Sequence, residues 1–377
     1  MCPHPGGPAT AADGTVPALT GLRALAIAAV VALHANLPFA RGGGLGVDMF
    51  FVLSGYLITS ILLRELERDA RIDYRAFLAR RGRRLMPALV FMLAVVAVFA
   101  AIAPISLTPD ARYPQIGDSL IYAGTYITDI AVLHGAPGGP LTHTWSLGVE
   151  MQFYVLWPLV LMAAYALGAR LRTLIGLSLA LIVVTEIWRL HLQAAGDVNH
   201  IIYSPDTRAD ELLAGAVVAM LQRGRWLPVQ LMARLAPIAL AVLAALVVHQ
   251  LSPTQLADGG YVLIYLSAAI LVAHLATREP TAFLRPLKHP LVVYIGLLSY
   301  SIYLWHVPVF HMLTAQGLGL SRTSSIVLRL TVTLALAAFS YHFIEPWLRR
   351  PRPRSTRRSA SFTPWSLPSA SSRSSSR

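Results

Sequence analysis

The sequence predicts an all-α integral membrane protein, a bundle of about ten transmembrane helices with both termini in the cytoplasm. Three observations carry this. Of the 377 residues, 55% are hydrophobic and only 13% are charged, against about a quarter charged in a soluble domain. The mean hydropathy is +0.58. The remaining charge gathers at the ends of apolar runs, chiefly in every second connecting loop.

A spanning helix needs roughly 20 mostly apolar residues. Segments 20–37, 45–63, 86–104, 146–166, 172–190, 209–222, 232–249, 259–276, 290–312 and 325–346 meet or approach this, the sixth being the shortest. Cytoplasmic loops are enriched in Lys and Arg. The loop after the second segment holds Arg64, Arg68, Arg71, Arg75, Arg80, Arg81, Arg83 and Arg84. Arg170 and Arg172 follow the fourth, Arg223 and Arg225 the sixth, Arg278, Arg285 and Lys288 the eighth, and Arg349, Arg350, Arg352 and Arg354 the tenth. Of the alternate loops, 105–145 has only Arg112 and 250–258 has none. This alternation puts both termini on the cytoplasmic side of the membrane.

The net charge of +13 is almost all arginine, with a single lysine, Lys288. Its placement fits membrane topology and gives no support to a nucleic-acid partner. Cys2 is the only cysteine, which excludes an intramolecular disulfide, a cysteine-rich metal site and a core thiol nucleophile. Residues 1–18 lack Lys and Arg and read as a disordered Pro/Gly/Ala leader. Residues 19–348 form one membrane domain, and 349–377 an Arg/Ser/Pro-rich cytoplasmic tail with little to bury.

Ionisable residues inside apolar segments are costly, which makes them functional candidates. In LTGLRALAIAAVVALHANLPF, Arg23 and His34 stand eleven residues apart. Eleven helical steps return to nearly the same face, roughly 16 Å further along. Asp48 opens GVDMFFVLSGYLIT, either as a helix-start acid or as a carboxylate that orients a histidine. RRGRRLMPAL, 80–89, sets topology or binds phosphate, since arginine forks match phosphate oxygens. Glu150 lies in WSLGVEMQFYVLWP, where Trp145, Tyr154 and Trp157 suit an interface but the carboxylate requires a partner. SYSIYLWHVP, 299–308, brings Tyr303 and His306 into an aromatic span. Glu186 and Arg189 are placed to pair one turn apart, and Arg208, Asp210 and Glu211 open the sixth segment.

Six of these segments resemble the type-3 membrane acyltransferase family, which includes O-antigen acetylases and macrolide acyltransferases. In chain order they are GLRALAIAAVVALH, GVDMFFVLSGYLIT, Arg81 and Arg84 ahead of Pro87, WSLGVEMQFY, SYSIYLWHVP and FIEPWLRR. The resemblance covers about residues 18–348. It implies a multispan enzyme that carries an acyl group, acetyl in the first instance, from cytoplasmic acyl-CoA to a hydroxyl. The acceptor is a sugar or a glycosylated small molecule, and no bound cofactor or metal is implied. Carried over by residue, it makes Arg23 and His34 the essential pair, Arg81 and Arg84 the donor-side arginines, and Glu150 the acid of its segment. Gly148 and Met151 stand where the family commonly shows small polar and acidic residues, so a second carboxylate is missing there.

On this reading His34 is the general base, Asp48 or Glu150 holds its ring, and Arg23 faces the donor or the developing oxyanion. Trp145, Tyr303 and His306 are further candidates. The rival reading is a transporter or sensor whose buried Arg, His, Asp and Glu form a proton relay, but no inverted repeat is visible.

Overall fold

The structure, a computed structural model, describes residues 16–102, 116–277 and 281–348. Most of the expected leader and all of the expected tail lie outside them. The helices are α1 Pro17–His34, α2 Leu45–Asp69, α3 Tyr74–Ile102, α4 Ile116–Gly124, α5 Thr128–Leu133, α6 Trp145–Ala166, α7 Leu171–Ala194, α8 Val198–Tyr203, α9 Pro205–Arg223, α10 Val229–Val248, α11 Pro253–Gln255, α12 Tyr261–Thr277, α13 Pro290–Met312, α14 Ala315–Leu318, α15 Arg322–Phe339 and α16 Glu345–Leu348. No strand occurs among the described residues. The protein is an all-α polytopic membrane protein. Nine helical segments among those residues are long and apolar enough to span a bilayer. Their exposed faces are apolar, as in the stripe Leu177, Leu181, Val184 and Trp188 of α7.

The sixth expected span is α9, whose 19 residues cover about 28 Å. Its opening charges keep it outside those nine, yet it is buried almost continuously from Thr207 to Met220. It runs parallel to α2 along its whole length. Arg208 pairs with Asp48 near their starts, Gln222 accepts from Tyr56 further along, and Arg223 pairs with Glu67 at the far end. Close approach requires glycine: a Cβ on Gly55 would stand 1.9 Å from the Leu212 carbonyl oxygen, and one on Gly215 2.0 Å from that of Val52. Small residues let helix backbones touch in the absence of a hydrophobic drive between them.

The same device joins α1 to α13, where a Cβ on Gly296 would meet the Thr20 carbonyl oxygen at 1.9 Å. The start of α13 also meets the segment after α15, through Tyr294 and His342. The two ends of the main-chain bundle therefore lie at one end of the molecule, where α1 begins. Two differences from the sequence reading are local. The first helix begins at Pro17, inside the expected leader. The third extends back to Tyr74 through arginines read as a loop, because Arg, Ala and Leu are good helix formers.

Candidate active site

Two cavities enter the bundle from opposite ends. At the end where α1 begins, a narrow one of about 90 Å³ is lined by Arg23, Arg81, Arg84, Glu150, Tyr154 and Ser299. Toward the other end, a chamber of about 600 Å³ is lined by His34, Asp48, His143, Trp145, Arg208 and His311. Val47 and Tyr303 line both. They are the junction between an arginine end and a histidine end.

At the arginine end, Arg23 Nε donates to Ser299 Oγ at 3.1 Å. Arg81 and Arg84 sit one turn apart on α3 and share a face. The Arg81 guanidinium lies 6.0 Å from the Tyr154 ring centre and 5.7 Å from that of Phe77. Arg80, on another face, pairs with Glu65 at 2.7 Å. Glu150 has the partners its depth requires, because Tyr154 donates to its Oε1 at 2.6 Å and Ser54 donates to the same oxygen. Three guanidiniums thus line a cavity with one carboxylate.

At the histidine end, His34 is the last residue of α1 and is exposed to the chamber. Its Nδ1 lies 2.8 Å from the Val30 carbonyl oxygen. A carbonyl only accepts, so the neutral ring carries its proton on Nδ1 and keeps a lone pair on Nε2. His306 repeats this: Nδ1 donates to the Tyr303 carbonyl at 2.7 Å, and buried Nε2 has no partner among the described residues. The His34 and His306 rings meet edge to face at 4.8 Å. His143 packs against both His306 and Tyr303 at 5.4 Å. The Tyr303 hydroxyl donates to the His143 carbonyl at 2.7 Å and shares a hydrogen bond with Ser146 Oγ at 2.7 Å.

The sequence reading let Asp48 or Glu150 hold the His34 ring. The ring instead goes to Val30, Glu150 faces the other cavity, and Asp48 is paired with Arg208. The reason is charge burial: a guanidinium taken out of water holds the nearest carboxylate. Arg208 also approaches Glu211 at 3.2 Å and lies 4.3 Å from the Tyr261 ring centre. Arg189 covers the same ring at 4.5 Å and pairs with Glu186 at 2.8 Å, as expected from their spacing, and with Asp210 at 2.7 Å. Trp145 stands edge-on to Tyr203 at 5.3 Å on the chamber wall.

The sequence reading did not single out His143, which stands two residues before Trp145, just ahead of the WSLGVEMQFYVLWP segment. Only tertiary packing brings it to His306. The missing second carboxylate also has a spatial counterpart. A Cβ on Gly148 would stand 2.3 Å from Asp129 Oδ1, and Gln152 donates to the other oxygen of Asp129 at 2.7 Å. The acid beside Gly148 is thus supplied by α5.

A family model described as an acyltransferase domain matches residues 16–344. The chain is 37% identical over 358 residues to YrhL of Bacillus subtilis, a protein named for peptidoglycan O-acetylation, with 89% of this chain and 55% of that protein covered. It is 32% identical over 357 residues to the peptidoglycan O-acetyltransferase OatA of Listeria monocytogenes, covering 89% and 56%. It is 31% identical over 354 residues to the O-acetyltransferase OatA of Staphylococcus aureus NCTC 8325, covering 89% and 57%. The chain spans about half the length of these curated relatives. No solved structure matches it.

Proposed function

The chain belongs to this type-3 acyltransferase domain family, and on that premise we propose that it is a membrane O-acyltransferase that moves an acetyl group from cytoplasmic acyl-CoA to a hydroxyl of a peptidoglycan-type glycan. The observation that carries the reading is the pair of cavities that enter from opposite ends and meet at Val47 and Tyr303. Such a layout supports a donor and an acceptor arriving from opposite faces of a membrane. The arginine end is the cytoplasmic one on this reading, because arginine-rich loops stay inside.

The donor is a thioester with phosphates. Arg81 and Arg84 hold phosphate oxygens at the cytoplasmic mouth. Arg23, deeper and steadied by Ser299, sits against the donor. The acceptor hydroxyl enters the histidine chamber. His34 Nε2 takes its proton as the hydroxyl oxygen bonds to the acyl carbon, and the C–S bond breaks as the tetrahedral intermediate collapses. The proton passes to the departing thiolate, so the products are an O-ester and free CoA. His34 serves this as a neutral base whose tautomer is set by Val30.

The test uses full-length protein in sealed proteoliposomes, with labelled acetyl-CoA on one face and a glycan acceptor on the other. The reading expects labelled ester on the glycan and none with His34→Gln. Glycan left unlabelled by well-folded wild-type protein overturns it.

A further inference from the structure

The histidine chamber holds a cation that the chemistry above does not use. Arg41 lines it, between α1 and α2, with its side chain exposed. This is the end where connecting loops are poor in arginine, so topology gives no account of it.

The segment that carries Arg41 is clamped. Gly42 donates its N–H to the Val247 carbonyl at 2.9 Å. A Cβ on Gly42 would stand 1.9 Å from the Leu246 carbonyl oxygen, and one on Gly43 2.1 Å from that of Ala29. The backbone is wedged between α1 and α10 and holds Arg41 at the chamber. Two other arginines described at this end are occupied: Arg208 by Asp48 and Glu211, and Arg322 by the Asn36 carbonyl at 2.7 Å. Arg41 makes no hydrogen bond or ion pair among the described residues. The same chamber is lined by the aromatic side chains of Trp145 and Tyr203, the kind of surface on which the C–H face of a sugar ring packs.

An unpaired guanidinium on a clamped stretch of backbone, in a chamber that also holds aromatic rings and a histidine, points to an anionic sugar. We propose that Arg41 binds a carboxylate carried by the acceptor glycan, so that the acceptor class is acidic rather than neutral. This rests on the acyl-transfer reading of the chamber. A planar guanidinium pairs with a planar carboxylate through two parallel hydrogen bonds.

The experiment compares two muramyl oligosaccharides that differ only in whether the carboxyl is free or converted to its carboxamide. Acetyl transfer from acetyl-CoA is followed with full-length protein in proteoliposomes. Wild type should favour the free acid by about tenfold in kcat/KM, the size of one charge-assisted hydrogen bond. Arg41→Gln should bring the ratio close to one and Arg41→Glu should invert it. Turnover of the carboxamide by each variant reports that the protein is folded. Wild-type protein gives a second measure that needs no variant: its preference should shrink as salt rises, because a half-exposed pair is screened. Equal use of both glycans by wild type, a ratio that survives Arg41→Gln, or a preference indifferent to salt overturns the proposal alone. Transfer to neither glycan overturns the acyl-transfer reading and this proposal with it. A dependence on anionic lipid in place of the glycan carboxylate would reassign Arg41 to a headgroup.

Discussion

The molecule holds the arginines of its two ends in different ways. At one end Arg23, Arg81 and Arg84 line a cavity with a single carboxylate, Glu150, which is already engaged by Tyr154 and Ser54. At the other end Arg189 and Arg208 are sealed among Asp48, Glu186, Asp210 and Glu211, with Tyr261 between the two guanidiniums. The first set is an excess of positive charge beside an opening. In the second each guanidinium is already held by two carboxylates. In a bilayer both are costly, and the difference separates scaffold from site: charges that satisfy one another hold helices together, and charges left over face something that arrives.

Substitutions test that separation, and the largest effect is expected beside neither arginine set. His34→Gln should lower acyl transfer roughly 10²- to 10⁴-fold, the usual worth of a general base, with the protein inserted at its normal level. Near-normal transfer in matched membranes would remove His34 from the proton step. Next, Arg208→Met should act on the fold, because it strands Asp48 and Glu211 without their cation. Breaking a buried pair this way costs about 3–5 kcal/mol, which thermal unfolding in detergent would read. Adding Asp48→Asn should recover part of the loss. A stable Arg208→Met protein would show that the sealed set is not scaffold.

Arg81→Ala with Arg84→Ala should raise the KM for acyl-CoA about 10- to 100-fold, the size of one or two charge-assisted contacts. Its unfolding temperature should stay near that of wild type, since neither arginine is ion-paired among the described residues. A lower unfolding temperature with an unchanged KM would move these arginines to the scaffold class. The smallest effect is expected at the junction. Tyr303→Phe removes one hydroxyl partner of Ser146, which keeps the His143 carbonyl, and should destabilise the protein by about 0.5–1.5 kcal/mol. No measurable change would show that the junction is held by packing alone.

Much of the fold was legible because the signals were local. Apolar length marks a span, and clustered arginine marks a loop end. The fourth span begins close to its expected residue, with α6 starting at Trp145. The one segment read as short, 209–222, belongs to a longer helix, α9, whose first turns look wrong for lipid because they face Asp48 and Tyr261 rather than lipid. The site was legible in membership more than in wiring. Arg23, Arg81, Arg84 and Glu150 share one cavity, as residues singled out by charge at depth. The partner of Asp48 lies 160 residues away, and no spacing rule reaches that far. His143 escaped notice for a related reason: a histidine in a turn before a helix has no periodicity to mark it.

The parallel embrace of α2 and α9 has a consequence for biogenesis. The opening turns of α9 carry Asp206, Arg208, Asp210 and Glu211. A charge opposes release from the translocon by about 2.5–3.5 kcal/mol at the centre of a span and by less toward its end, so these opening turns work against the partitioning of α9 into lipid on its own hydrophobicity. Asp48 is made first and Arg208 follows 160 residues later. At about 5–20 residues per second of synthesis, the carboxylate waits on the order of 8–30 s for its cation. During that interval α2 presents an unneutralised acid and an uncovered glycine face. The nascent chain must keep both beside the insertion machinery until α9 arrives to leave with it.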